Sequence, residues 1–110
     1  LVVGIHQNNF EIPKYYGTQV FYSANNPESK LLATEIRQSV LTLLQPENKR
    51  ELKKADSNIY LLDKTKVPAV LVECGFLSNP AELEKLKDPE YRSQMAFAIA
   101  GGILQYGPQA

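Results

Sequence analysis

Apolar positions along the chain fall into two kinds of pattern. Leu1–Ile5 and Pro68–Val72 are unbroken aliphatic runs rich in valine, the signature of strands covered on both faces in a parallel sheet. Thr18–Tyr22 and Asn58–Leu62 are shorter apolar-aromatic runs and predict two further strands nearer an edge. Elsewhere the apolar residues recur at helical intervals. Leu32, Ile36, Val40 and Leu43 predict an amphipathic helix over about 27–44. Met95, Ile99, Gly102, Ile103 and Tyr106 predict a last helix over about 89–106, ended by Gly107-Pro108. A shorter helix follows Asn79, with Leu83 and Leu86 on one side.

Proline supplies the punctuation. Asn26-Pro27-Glu28, Asn79-Pro80-Ala81-Glu82 and Asp88-Pro89-Glu90 each set an Asx residue before a proline and a carboxylate nearby. An Asx side chain caps an orphan N–H, and proline in the first turn lacks only a donor that would have no partner. The carboxylate suits the positive end of the helix dipole. Glu82, three residues after Asn79, stands where a capping box places its acidic member. Strands alternating with helices define the fold class: α/β, a mixed, mostly parallel sheet flanked by helices. The polar, aromatic and proline-bearing segment Gln7–Gly17 reads as a loop over the site.

Composition narrows this picture modestly. The 110 residues are enough for one small domain with a single core. Twelve basic and twelve acidic residues balance, so no global field favours nucleic acid or an anionic membrane. No run approaches the roughly 18–20 apolar residues of a membrane-spanning helix. The basic cluster at Lys49-Arg50 and Lys53-Lys54 is broken by Glu51 and reads as a solvated face. With Cys74 as the sole cysteine, neither an internal disulfide nor a finger-type zinc is available. Because the chain opens directly on a core strand, 1–110 is expected to be one part of a larger domain truncated at its N-terminus.

Two residues carry candidate chemistry. His6, the only histidine, follows the first aliphatic run, and Glu73 ends the second. Functional groups in open α/β sheets gather just past the carboxyl ends of the strands. If the two strands are parallel neighbours, an imidazole and a carboxylate emerge together. Such a pair suits a hydrolytic zinc site, in which a free glutamate takes the proton from a polarised water. A salt bridge would explain Glu73 equally well from position alone. Catalytic zinc takes three protein ligands, and this chain offers one obvious one.

The residues around Glu73 carry a resemblance. Pro68-Ala69-Val70-Leu71-Val72-Glu73-Cys74-Gly75-Phe76-Leu77-Ser78-Asn79 is similar to the signature of zinc-dependent N-acetylmuramoyl-L-alanine amidases. Ile5-His6-Gln7-Asn8-Asn9 resembles that family's histidine segment, with Gly4 where the family has serine. Gly17–Tyr22, the segment from Arg50 to Leu62, and Tyr91–Tyr106 resemble its later strands and last helix. The resemblance implies Glu73 as the catalytic residue and His6 as one zinc ligand, with Asn8 near the site. Two further ligands, a histidine and a glutamate in a Gly-rich motif, are expected upstream of Leu1. It implies hydrolysis of the amide between muramic acid and the L-alanine of peptidoglycan stem peptides, one Zn²⁺ per complete site, and an extracytoplasmic, bacterial setting. Wall remodelling by autolysins and spore-cortex maturation are the implied roles, with an activating protein as a possible partner. The loop Gln7–Gly17 and the segment around Arg50–Asn58, Arg50 included, are candidates for contacting the glycopeptide. Gly75 is expected to make a tight turn, Phe76 and Leu77 to pack in the core, Ser78 and Asn79 to cap the next helix, and Cys74 to be an inert buried thiol. The rival readings are a fragment or degenerate domain that only binds wall glycan or a protein, and a zinc carboxypeptidase of similar sheet architecture.

Overall fold

The computed structural model describes residues 1–8 and 16–107. In chain order these form β1 (Val2–Asn8), β2 (Gln19–Tyr22), α1 (Glu28–Leu43), β3 (Lys53–Lys54), α2 (Tyr60–Lys64), β4 (Ala69–Phe76), α3 (Pro80–Lys87) and α4 (Pro89–Tyr106). The four strands make one sheet in the order β1-β4-β2-β3. β1 with β4 and β2 with β3 run parallel, whereas β2 runs antiparallel to β4. The predicted mixed, mostly parallel sheet is therefore present.

Side chains alternate across a strand, so register sorts the sheet into two faces. Val3 with Val70 and Ile5 with Val72 are partners between β1 and β4, and Val20 faces Val72 from β2. This face meets α1 and α4. Leu32, Ala33, Ile36, Val40, Met95, Ala98 and Ile99 bury their side chains with Val20, Val70 and Val72 in one core. The opposite face carries Gly4 with Leu71 and His6 with Glu73, and Gln19 opposite Glu73. α1 and α4 approach closely at Gly102, where a Cβ would lie 2.5 Å from the Ile36 Cα.

The helix starts follow their capping chemistry. Asn79 accepts from the Ala81 and Glu82 amides, and Asp88 from the Glu90 amide. At α1, Pro27 holds the cap position and Asn26 Oδ1 accepts from the Glu28 amide at 2.9 Å.

Three expectations are corrected. The predicted strand over Asn58–Leu62 is instead a turn leading into α2. Asp56 Oδ1 accepts from the Asn58 amide, and Ser23 and Asn25 donate to the carbonyls of Leu62, Asp63 and Thr65. Side chains from the β2–α1 connection thus satisfy this backbone, and a single residue, Leu62, is buried. The aliphatic run was too short for periodicity to separate strand from helix. β4 does not stop at Val72 but continues through Phe76, so Gly75 lies inside a strand and makes no turn. The expected loop Gln7–Gly17 begins later, because β1 runs to Asn8; positions 9–15 lie outside the described residues.

Candidate active site

The parallel pairing of β1 and β4 places His6 in register with Glu73. Their side chains meet: His6 Nδ1 lies 2.9 Å and 3.0 Å from the two carboxylate oxygens of Glu73. Glu73 is 7% exposed, whereas the imidazole is largely open to solvent. A buried carboxylate needs a partner, and here the partner is the one histidine. In the neutral ring with the proton on Nδ1, that N–H donates to Glu73 and Nε2 is left as an acceptor or ligand.

Beyond Glu73 the ladder slips. His6 pairs with Glu73 but Asn8 pairs with Phe76, so β4 carries one extra residue in this stretch. A bulge of this kind re-aims side chains and recurs next to functional sites. Asn8 stands at the end of β1, two residues past His6.

On its other side Glu73 faces Gln19 of β2, giving a row His6–Glu73–Gln19 across three strands. Gln19 is buried. Its amide nitrogen donates to the Glu51 carbonyl and its Oε1 accepts from Arg50 Nη1 at 3.1 Å. Arg50 also donates through Nε to the Tyr16 carbonyl at 2.8 Å and lies over the Phe76 ring, 4.5 Å from its centre. The structure thus ties Arg50 to Gln19, the register partner of Glu73, and engages it with the protein's own backbone and side chains. Gln19 and this arrangement of Arg50 were missed in the sequence; the one available signal was a glutamine inside an otherwise apolar strand.

Cys74, one residue on, is 5% exposed, and its pKa is pushed up to about 11, first by burial and then by the Glu73 charge. It stays a thiol at neutral pH and makes a poor nucleophile. Phe76 is buried as expected, and Leu77 packs on the core. Asn79 is the cap foreseen for α3; Ser78 Oγ is buried with no hydrogen-bond partner among the described residues.

The donor set fits one position of a catalytic zinc site. His6 offers an imidazole whose other nitrogen is oriented by a carboxylate, the usual support for a zinc-bound histidine. No group of three or more His, Cys, Asp and Glu side chains comes together among the described residues.

A family model described as N-acetylmuramoyl-L-alanine amidase matches residues 1–105. The chain belongs to the N-acetylmuramoyl-L-alanine amidase family. It is 36% identical to the germination-specific N-acetylmuramoyl-L-alanine amidase of Bacillus subtilis, over 96% of this chain and 44% of that protein. It is 38% identical to an uncharacterised cell wall amidase of Bacillus anthracis, over 96% of this chain and 21% of that protein. Among solved amidases, the CwlD amidase of Clostridioides difficile, in complex with the GerS lipoprotein, superposes with a TM-score of 0.89. That likeness has 44% identity and covers 94% of this chain and 52% of the CwlD chain. AmiC2 of Nostoc punctiforme superposes with a TM-score of 0.84 at 34% identity, covering 94% of this chain and 56% of that one. The chain thus spans between about a fifth and about half of these relatives.

Proposed function

We propose that this chain is the portion of a peptidoglycan amidase domain that carries its proton-transfer residue, Glu73, and one of its zinc ligands, His6. The observation that carries this reading is the His6–Glu73 contact at 2.9 Å, made at the carboxyl ends of two parallel strands in a member of the amidase family. The scissile bond is the amide joining the lactyl group of muramic acid to L-alanine.

His6 would hold the metal through the ring nitrogen that Glu73 does not engage. Zinc, when bound, supplies Lewis-acid polarisation and a lowered pKa for the attacking water. The remaining steps belong to the chain. One carboxylate oxygen of Glu73 accepts the proton of the attacking water and then returns it to the leaving nitrogen of L-alanine. Arg50 and Gln19 brace the neighbouring strand, and Asn8, at the end of β1, stands at the same strand ends as a candidate substrate contact. The setting that follows is the bacterial wall, outside the cytoplasm, in wall or spore-cortex remodelling. The complex of the CwlD relative with a lipoprotein supports a protein partner.

The test uses the full-length enzyme loaded with zinc. Glu73→Gln is expected to abolish release of stem peptides while zinc content stays at the wild-type level. His6→Ala is expected to lose both. If Glu73→Gln loses the metal as well, Glu73 is a ligand and the assignment fails. Release of single amino acids in place of intact stem peptides would make the enzyme a carboxypeptidase.

A further inference from the structure

The first turn of α3 carries a second buried carboxylate. Glu82 is 5% exposed and has no cationic partner among the described residues. The capping box would turn it back to the Asn79 amide, but that amide donates to the Phe76 carbonyl instead. Glu82 Oε1 accepts from the Gly17 amide at 2.6 Å, a contact across 65 residues of sequence. A carboxylate accepting a backbone N–H makes a stronger bond than a neutral acceptor, and the dipole of α3 adds to it.

Glycines stand at two positions around this bond. Gly17 has φ +91°, a conformation that L side chains rarely adopt, and a Cβ there would lie 3.2 Å from the Asn48 amide group. At Gly75, in the bulged part of β4, a Cβ would lie 3.1 Å from Glu82 Oε1. Thr18, next in line, is tied to the same strand: its Oγ1 donates to the Cys74 carbonyl at 3.0 Å, and its amide donates to Gln45 Oε1. The consequence reaches Gln19, the register partner of Glu73. Gly17 and Thr18 lead directly into Gln19, the first residue of the strand that pairs with β4 at Glu73.

We propose that Glu82 is a positioning residue, a buried latch that holds the start of β2 against β4 and so sets the place of Glu73. This rests on the reading of Glu73 as the proton-transfer residue. In the full-length zinc-loaded enzyme, two variants separate reach from charge. Glu82→Gln keeps an oxygen at the right distance without the charge. Glu82→Asp keeps the charge and withdraws the oxygen by one methylene.

The Asp variant is expected to lose about a hundred-fold in kcat, the effect of a displacement near 1 Å, with KM and zinc content unmoved. Amide-exchange protection at Gly17 should fall with it. The Gln variant should keep most of its turnover and its Gly17 protection. Wild-type kcat in Glu82→Asp, or equal loss in both variants, overturns the proposal. Should Glu82→Asp fail to fold, Gly75→Ala displaces the same oxygen by a few tenths of an ångström; a folded Gly75→Ala enzyme with full kcat overturns it too. Glu73→Gln is run alongside. Activity in that variant defeats the reading of Glu73, while the Gly17 protection data still decide the latch.

Discussion

A thiol beside a buried carboxylate has its titration set by that neighbour. Cys74 sits among apolar side chains with the Glu73 charge next to it, and both disfavour the thiolate. Its pKa therefore rises from an unfolded value of 9.0 to about 11 in the folded chain. The sign follows from proton linkage. Between these values the folded state holds a proton that the unfolded state has released, so stability is full below pH 9 and declines as pH rises toward 11. Replacing Cys74 by alanine should flatten that part of the stability–pH curve, measured by denaturant unfolding across the range. Alkylation of the native enzyme should also be slow at pH 8. At this scale the sequence was informative wherever a residue's place followed from a strand end. His6 and Glu73 both stood just past aliphatic runs, and parallel pairing brought them into register. Gln19, Arg50 and Glu82 were not legible in the same way. Their partners are 31, 34 and 65 residues distant in sequence, respectively, and a contact of that span is decided by topology.

Among elements, the tightest constraint lies between α1 and α4. The helices approach so closely at Gly102 that a methyl group there would overlap the backbone of Ile36, with the Cβ 2.5 Å from its Cα and 2.8 Å from its nitrogen. Backbone cannot swing aside as a long side chain can. Gly102→Ala should therefore cost about 1–3 kcal/mol despite alanine's better helix propensity, seen as a lower denaturation midpoint. Gly101→Ala is the control, since its Cβ would meet only the Ser39 hydroxyl, at 3.2 Å. An equal effect at both positions would show that propensity rather than packing governs this interface. Element types were readable where several signals agreed. The three Asx-Pro starts matched helices because periodic apolar residues, or a capping side chain, lay behind each. Asn58–Leu62 had apolar content alone, and the hydrogen bonds from Ser23 and Asn25 that close α2 come from another part of the chain. Gly75 misled for a related reason: it serves the approach of Glu82, and that approach is invisible in local sequence.

The whole sheet has two unlike edges. β3 ends it with Lys53 and Lys54, both exposed, and edge lysines discourage pairing with another strand. β1 ends it on the other side with seven residues, including Val2, Val3 and Ile5, paired only to β4 among the described residues. Ile5 is 60% exposed and Leu1, just before the strand, 56%. Ile5 also borders a cavity of about 170 Å³ that Cys74, Leu86, Met95 and Ile99 line toward α4. An apolar edge strand beside an apolar hollow is a template for association. The solved amidases that this chain resembles are about twice its length, so in a protein of that size further chain is available to cover this edge. The 110-residue chain by itself is expected to self-associate with rising concentration, followed by sedimentation velocity. Ile5→Lys should shift it toward monomer by placing a charge on the exposed edge, while Lys53→Ile should leave the β1-driven association in place. A wild-type chain that stays monomeric across the range would show that the β1 edge is protected without further chain.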